Sequence, residues 1–222
     1  NIRADKETIV KSLQGNWRAE QLYLLEDCYR NYRHYKERIV ACDAAIEKQL
    51  QWYHQQLFPG ASIDTNITSS KQATKNKPKF NTTGYFKAIL GVDVTAIYGI
   101  CDISALEILS ETGTDMSKWQ THKHFVSWLN LCPNNKISGG KLISSMLMRK
   151  QPNVASQAFR NGANAVQRSD NWLGDYFRRM KAKGGNKYAM VATAAKIATI
   201  YYRMVLNKAE FNPLDLKVYQ KK

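Results

Sequence analysis

Between Trp17 and Leu57 the chain has neither proline nor glycine, and this constrains its fold more than any other feature. Leu22, Leu25, Tyr29, Tyr32, Ile39, Cys42, Ile46, Leu50 and Tyr53 recur at three- and four-residue spacing. That period sets them along one side of a single helix. Tyr35 falls on a flank of the stripe, and Lys36 leaves a gap in it. A helix this long with so narrow a stripe predicts a coiled-coil-like arm over residues 1–57, used for pairing or spacing. The alternative is a long helix folded back on its own domain. Arg30, Arg33 and Arg38, set among tyrosines, suit either nucleic-acid contacts or a solvated face. Ahead of the long helix, Asp5 to Leu13 reads as a short helix capped by Asp5, with Ile9, Val10 and Leu13 on its apolar side and a break at Gly15-Asn16.

Residues 58–81 read as a flexible basic linker. Pro59-Gly60 opens it, Ser, Thr and Asn follow, and Lys71, Lys75, Lys77 and Lys79 close it. From 82 to 131 the pattern is one of consecutive short helices joined at Gly91, Gly99 and Gly113, the last a helix C-cap. Such elements resemble helix-hairpin-helix units, which hold a DNA backbone through amides at a helix start, although tight turns also serve plain packing. The next helix begins near Thr121 and buries Phe125, Val126, Trp128 and Leu129. Residues 142–168 read as helical, with a start or sharp turn at Pro152-Asn153 and an apolar face of Ala155, Ala158, Phe159, Ala163 and Val166. A further amphipathic helix begins at Trp172. A basic turn at Lys183–Lys187 and a helix from Tyr188 to Leu206 follow, and a polar tail over 211–222 ends the chain. No strand alternation stands out. The expected fold class is all-α: the arm, then a compact multi-helix domain over 82–210.

Charge indicates the partner. The 222 residues carry 33 Lys/Arg against 18 Asp/Glu, a net +15. From Lys136 to Lys222 there are 17 Lys/Arg and 4 Asp/Glu, so nearly all of the excess lies in the C-terminal part. An anionic partner is implied, either nucleic acid or an acidic membrane surface. No apolar run reaches the length of a membrane span, so insertion in a membrane is not expected. Cys28, Cys42, Cys101 and Cys132 are far apart and lack C-x-x-C spacing, which suits free thiols of a reducing compartment rather than disulfides or a zinc site.

Chemistry concentrates in Pro133-Asn134-Asn135-Lys136-Ile137-Ser138-Gly139-Gly140-Lys141, whose composition is that of a loop. Lys136 and Lys141 bracket Ser138, and Gly139-Gly140 lets backbone approach a bulky partner. The stretch is either a phosphate-handling loop with Ser138 as nucleophile or an ordinary surface turn. Lys136, Lys141, Arg149 and Lys150 are positioned in sequence to neutralise charge on a phosphate under attack. Ser144 and Ser145 are rival nucleophiles, or helix hydroxyls. From Ile137 onward the only carboxylates are Asp170, Asp175, Glu210 and Asp215, too few for a two-metal nuclease centre. His122 and His124 would point to different sides of a helix, so no metal site is expected in this chain.

The runs Leu90–Asp93, Ile100–Thr114 and Trp128–Lys141 resemble the C-terminal transposase domain of the insertion-sequence family related to the Piv-type DNA invertases. Leu13–Gln51 is similar to the helical segment that precedes that domain. The resemblance covers nearly the whole chain, and L-C-P-N-N-K-I-S-G-G-K is its most specific part. It implies a cytoplasmic, nucleoid-associated bacterial DNA recombinase that works as a homo-oligomer with a structured guide RNA in the best-understood members. It also implies an N-terminal RuvC-like domain with four acidic residues and Mg²⁺, and a composite site across subunits in which a serine attacks DNA to form a phosphoserine. By motif position Ser138 is that serine, with Lys136, Gly139, Gly140, Lys141, Arg149, Lys150 and Arg160 as nucleic-acid contacts. The chain has no start methionine and no acidic domain, which makes it the expected C-terminal portion of a longer protein, not expected to cut DNA by itself. One departure is at Pro152, where relatives commonly carry glycine. The second expectation is a non-catalytic nucleic-acid-binding and oligomerisation module. The third is a basic peripheral membrane protein, set apart by its binding to liposomes rather than nucleic acid.

Overall fold

A computed structural model describes residues 4–15, 17–64, 66–67, 77–147, 153–213 and 215–220. It divides into two compact units, residues 1–48 and 49–222.

In the first unit, α1 (Lys6–Ser12) starts where Asp5 accepts a hydrogen bond from the Thr8 amide at 3.0 Å, the expected cap. Its Val10 and Leu13 are exposed. The predicted long helix is α2 (Ala19–Leu57). It begins as Gln21 Oε1 accepts from the Arg18 amide at 3.2 Å, the reach-back half of a capping box. Leu22, Leu25, Tyr29, Tyr32, Ile39 and Ile46 are all exposed. The stripe is therefore real as a helix face and uncovered in the single chain. Glu26 and Arg30, four residues apart, pair at 3.5 Å, a contact worth only a few tenths of a kcal/mol at an exposed helix surface.

The second unit begins within the last turns of α2. Leu50 and His54 are buried there, and Gln51 Nε2 donates to the Tyr85 hydroxyl at 3.0 Å. Next is α3 (Thr82–Leu90), capped by Asn81 and ended by Gly91 at φ +76°. A 3-10 turn over Val94–Ala96 leads to α4 (Asp102–Thr112), which ends at Gly113, φ +66°. A second such turn, Met116–Lys118, precedes α5 (His122–Trp128). Thr121 caps α5 by accepting from the His124 amide. Then come α6 (Val154–Val166), α7 (Trp172–Asn207) and α8 (Leu216–Gln220). The all-α expectation holds in that the protein is mostly helical.

The core gathers α4, α5, α6 and α7 around rings that meet edge to face or stacked: Phe125 to Phe159 at 6.2 Å, Phe125 to Tyr201 at 6.3 Å and Phe159 to Tyr201 at 5.7 Å. Each fully buried side chain of this kind contributes about 1.5–3 kcal/mol by leaving water. The small-residue face of α6 lets it come close to its neighbours. Gly162 and Gly99 pack backbone to backbone, and Ala155, Ala158 and Ala163 are fully buried. Lys208, the C-cap of α7 at φ +52°, reaches across to donate to the Leu90 carbonyl at 2.7 Å, satisfying the end of α3.

Two local expectations fail. Residues 133–141 are not a loop, and 142–147 are not helical: β1 (Pro133–Ser138) and β2 (Lys141–Leu147) form an antiparallel hairpin. The polar tail also carries apolar anchors, with Phe211 on Tyr98 at 5.3 Å and Tyr219 on Trp172 at 5.7 Å. Arg179 lies over the Tyr219 ring at 4.2 Å. The basic turn at 183–187 is seen as non-helical backbone at Gly184 and Gly185 inside α7. Among the described residues α7 alone is long and apolar enough to cross a membrane, but half of that apolar window is buried inside the chain, as in a core helix.

Candidate nucleic-acid interface

The hairpin turns on two residues. Ser138 pairs with Lys141, leaving Gly139 (φ +56°) and Gly140 (φ +74°) as the connection. Positive φ at both central positions is what a type I′ turn demands, and its twist matches that of the strands. Side chains other than glycine resist that conformation. A Cβ at either glycine would meet nothing within 4 Å, so turn geometry, not crowding within this chain, accounts for the pair.

The register then decides which side chains share a face. Directly paired residues in an antiparallel ladder point the same way, and alternate residues along a strand do too. Lys136 and Ser138 are two apart in β1. Lys141 pairs with Ser138, and Ser144 pairs with Lys136. Ser138, Lys136, Lys141 and Ser144 therefore lie on one face. A bulge between Lys136 and Ile137 makes this possible, since Ile137 pairs with Leu142 and Ile143 is the extra residue. Without it, Ser144 would face the other way. Ser145 sits at the register position opposite Asn135.

The hairpin is exposed. Ser138, Lys136, Gly139, Gly140 and Lys141 are all at the surface, and Ile137 and Ile143 are 66% and 68% exposed. Its strands pack chiefly on each other. A two-stranded ribbon with so little cover is marginal by itself in water, and Ile137 and Ile143 leave apolar surface open on this basic one. The hairpin has no carboxylate or imidazole of its own to take a proton from Ser138.

Other predicted contacts fare differently. Arg160 sits on α6 and donates through Nη2 to the Asn130 carbonyl at 3.3 Å, while its Nε is buried without a partner. Asn130 holds φ +54° just ahead of β1, so Arg160 ties α6 to the base of the hairpin rather than standing free on the surface. Arg149, Lys150 and Pro152 lie outside the described residues. Among the described residues no three His, Cys, Asp or Glu side chains gather where a metal could bind.

The positive excess is concentrated in runs without acids. Between Asp115 and Asp170 the sequence has eight Lys/Arg and no carboxylate, and none occurs again from Tyr176 to Ala209. The structure folds these acid-free runs into α5, the hairpin, α6 and most of α7. Three of these charges act on His122. Lost hydration first, then the charges of Arg203, Lys123 and Lys196, push its imidazole below the ordinary value.

A sequence profile described as Transposase IS116/IS110/IS902 family matches residues 79–178, from just before α3 through the hairpin into the first turns of α7. No curated protein matches the chain. The profile match supports a transposase domain over these residues, and with it a role in transposition or recombination with DNA as partner.

Proposed function

We propose that this chain is the serine-bearing part of an insertion-sequence recombinase of the kind related to the Piv-type invertases. In this reading Ser138 is the nucleophile for DNA strand cleavage and exchange. The observation that carries it is the shared hairpin face: Ser138 sits at the tip of an exposed ribbon with Lys136 and Lys141 on the same side. Attack by Ser138 Oγ forms a P–O bond as the bond from phosphorus to a deoxyribose oxygen breaks, giving a phosphoserine. The two ammonium groups offset the charge that develops on the phosphoryl oxygens. The serine proton has to pass to a base that the hairpin lacks, and the leaving oxygen takes up a proton in turn.

That missing base supports a site completed from elsewhere: a RuvC-like, Mg²⁺-binding domain and a second subunit, with the exposed stripe of α2 as the pairing surface. A structured guide RNA is the second proposed nucleic acid, and the bacterial nucleoid the proposed setting. The same missing base favours the other reading for the isolated chain, a non-catalytic nucleic-acid-binding and oligomerisation module.

The test uses the full-length protein with its element DNA and flanking RNA. The readout is a denaturant-resistant protein–DNA adduct, compared across wild type, Ser138→Ala, Ser144→Ala and Ser145→Ala. Loss with Ser138→Ala alone is the expected result. An adduct that survives it and disappears with Ser144→Ala moves the nucleophile along the same face. Cleavage without any adduct refutes covalent serine chemistry.

A further inference from the structure

The hairpin is not the sole basic surface of the second unit. On α7, Lys196 and Arg203 are both exposed and seven residues apart, so they share a face about 10 Å apart along the axis. Against that helix packs α5, which carries exposed Lys123 in its first turn. The join is fastened where the Tyr202 hydroxyl donates to the Trp119 carbonyl at 2.7 Å. Trp119 in turn meets Trp128 at 5.0 Å, and Trp128 keeps 36% of its surface exposed.

Neither α5 nor α7 beyond Asp175 has a carboxylate to neutralise these cations. Asp115, which precedes the Met116–Lys118 turn, accepts from the Ser117 amide and hydroxyl at 2.9 and 2.6 Å and keeps its negative charge. Three cations held on packed helices that carry no carboxylate beyond Asp175, with an exposed indole on the shorter of the two, match the needs of a phosphodiester backbone. Cations replace condensed counterions, and an exposed aromatic face suits a base where a strand is single.

We infer that the α5–α7 surface of Lys123, Lys196 and Arg203 is a second phosphodiester-binding site, on different elements from the Ser138 hairpin. It rests on the nucleic-acid reading above and deepens it by naming where a strand is held without being cut. Its chemistry fits DNA and RNA alike.

The 222-residue chain is titrated by fluorescence anisotropy against two labelled probes, a random-sequence DNA duplex and a single-stranded RNA of the same length, over a series of KCl concentrations. The Lys196→Gln/Arg203→Gln variant removes two contacts. The slope of log affinity against log salt is expected to fall by about 1.8 on the duplex, or about 1.4 on the single strand. Lys123→Gln alone should lower it by about half as much. The matched pair Lys6→Gln/Lys11→Gln, on α1, should leave the slope unchanged. A loss confined to one probe identifies the strand held there. The inference is overturned if the wild-type chain binds and the α7 pair leaves the slope unaltered. It is also overturned if the α1 pair lowers the slope equally, because binding then follows net charge rather than place. No binding by the wild-type chain refutes the nucleic-acid reading itself, a result distinct from either.

Discussion

Gly99→Ala tests how the hairpin is held. Gly99 has φ +86°, and a Cβ there would press into the Gly162 carbonyl oxygen on α6, with the carbonyl carbon and Val166 Cγ1 each at 2.9 Å. The left-handed conformation alone costs a residue with a side chain about 1–2 kcal/mol. Forcing a methyl into packed backbone adds about 1–3 kcal/mol, since main chain cannot rotate away as a side chain can. The sum is about 2–5 kcal/mol. At a urea dependence of about 2 kcal/mol per molar, the unfolding midpoint should fall by about 1–2.5 M. Gly140→Ala is the internal control, with φ +74° but no atom within 4 Å, so it carries the conformational cost only and at an exposed tip. Tryptophan fluorescence follows the transition through Trp119, Trp128 and Trp172 of the same unit. Two equal shifts, or a Gly99→Ala midpoint within about 0.2 M of wild type, would refute the close approach of α6 to the α3–α4 connection. Arg160 ties α6 to Asn130 at the base of the hairpin, so the reasoning also predicts lower adduct yield in Gly99→Ala below its unfolding midpoint.

At the tip, Gly139→Asn should keep the adduct, because asparagine tolerates positive φ in a type I′ turn, whereas Gly139→Val should abolish it with little change in the unfolding midpoint. Ser138→Ala should change stability by less than about 0.5 kcal/mol in urea titration, since the side chain is exposed. Tyr201 is fully buried, and burial pushes its hydroxyl up to about 12, against the smaller opposing effect of its hydrogen bond with Thr112. Its unfolded form ionises near 10, so the stability it supports is complete below that pH and declines as pH rises toward 12. By linkage the loss is about 3 kcal/mol across that window. Urea unfolding of wild type against Tyr201→Phe should diverge between those limits and not below them.

How much of this was legible without coordinates follows from where each signal lies. The long α2, the Asp5 cap, the helix start near Thr121, the Gly113 terminus and the buried face of α6 are local features. Each depends on a side chain reaching its own backbone or on apolar spacing along one helix, and the chain states both directly. The hairpin was missed because a type I′ turn of Gly-Gly resembles any loop, and because β1 is mostly polar while the apolar residues of β2 fall in adjacent pairs, so no apolar alternation marks either strand. The bulge at Ile143 further breaks the period. Arg160 reads as one more surface cation until α6 is placed beside Asn130.

The sequence by itself determined the helical class, several helix ends and the excess of positive charge, and it singled out Ser138 as the residue to test, because each is encoded within a few residues of chain. Only the tertiary structure decided that Lys136, Lys141 and Ser144 share the serine's face, that Gly99 must touch Gly162, and that the charges of Lys123, Lys196 and Arg203 all act on His122. Those relations come from strand register and from helices meeting across the core. Register and packing depend on residues far apart in the chain, which no local pattern records.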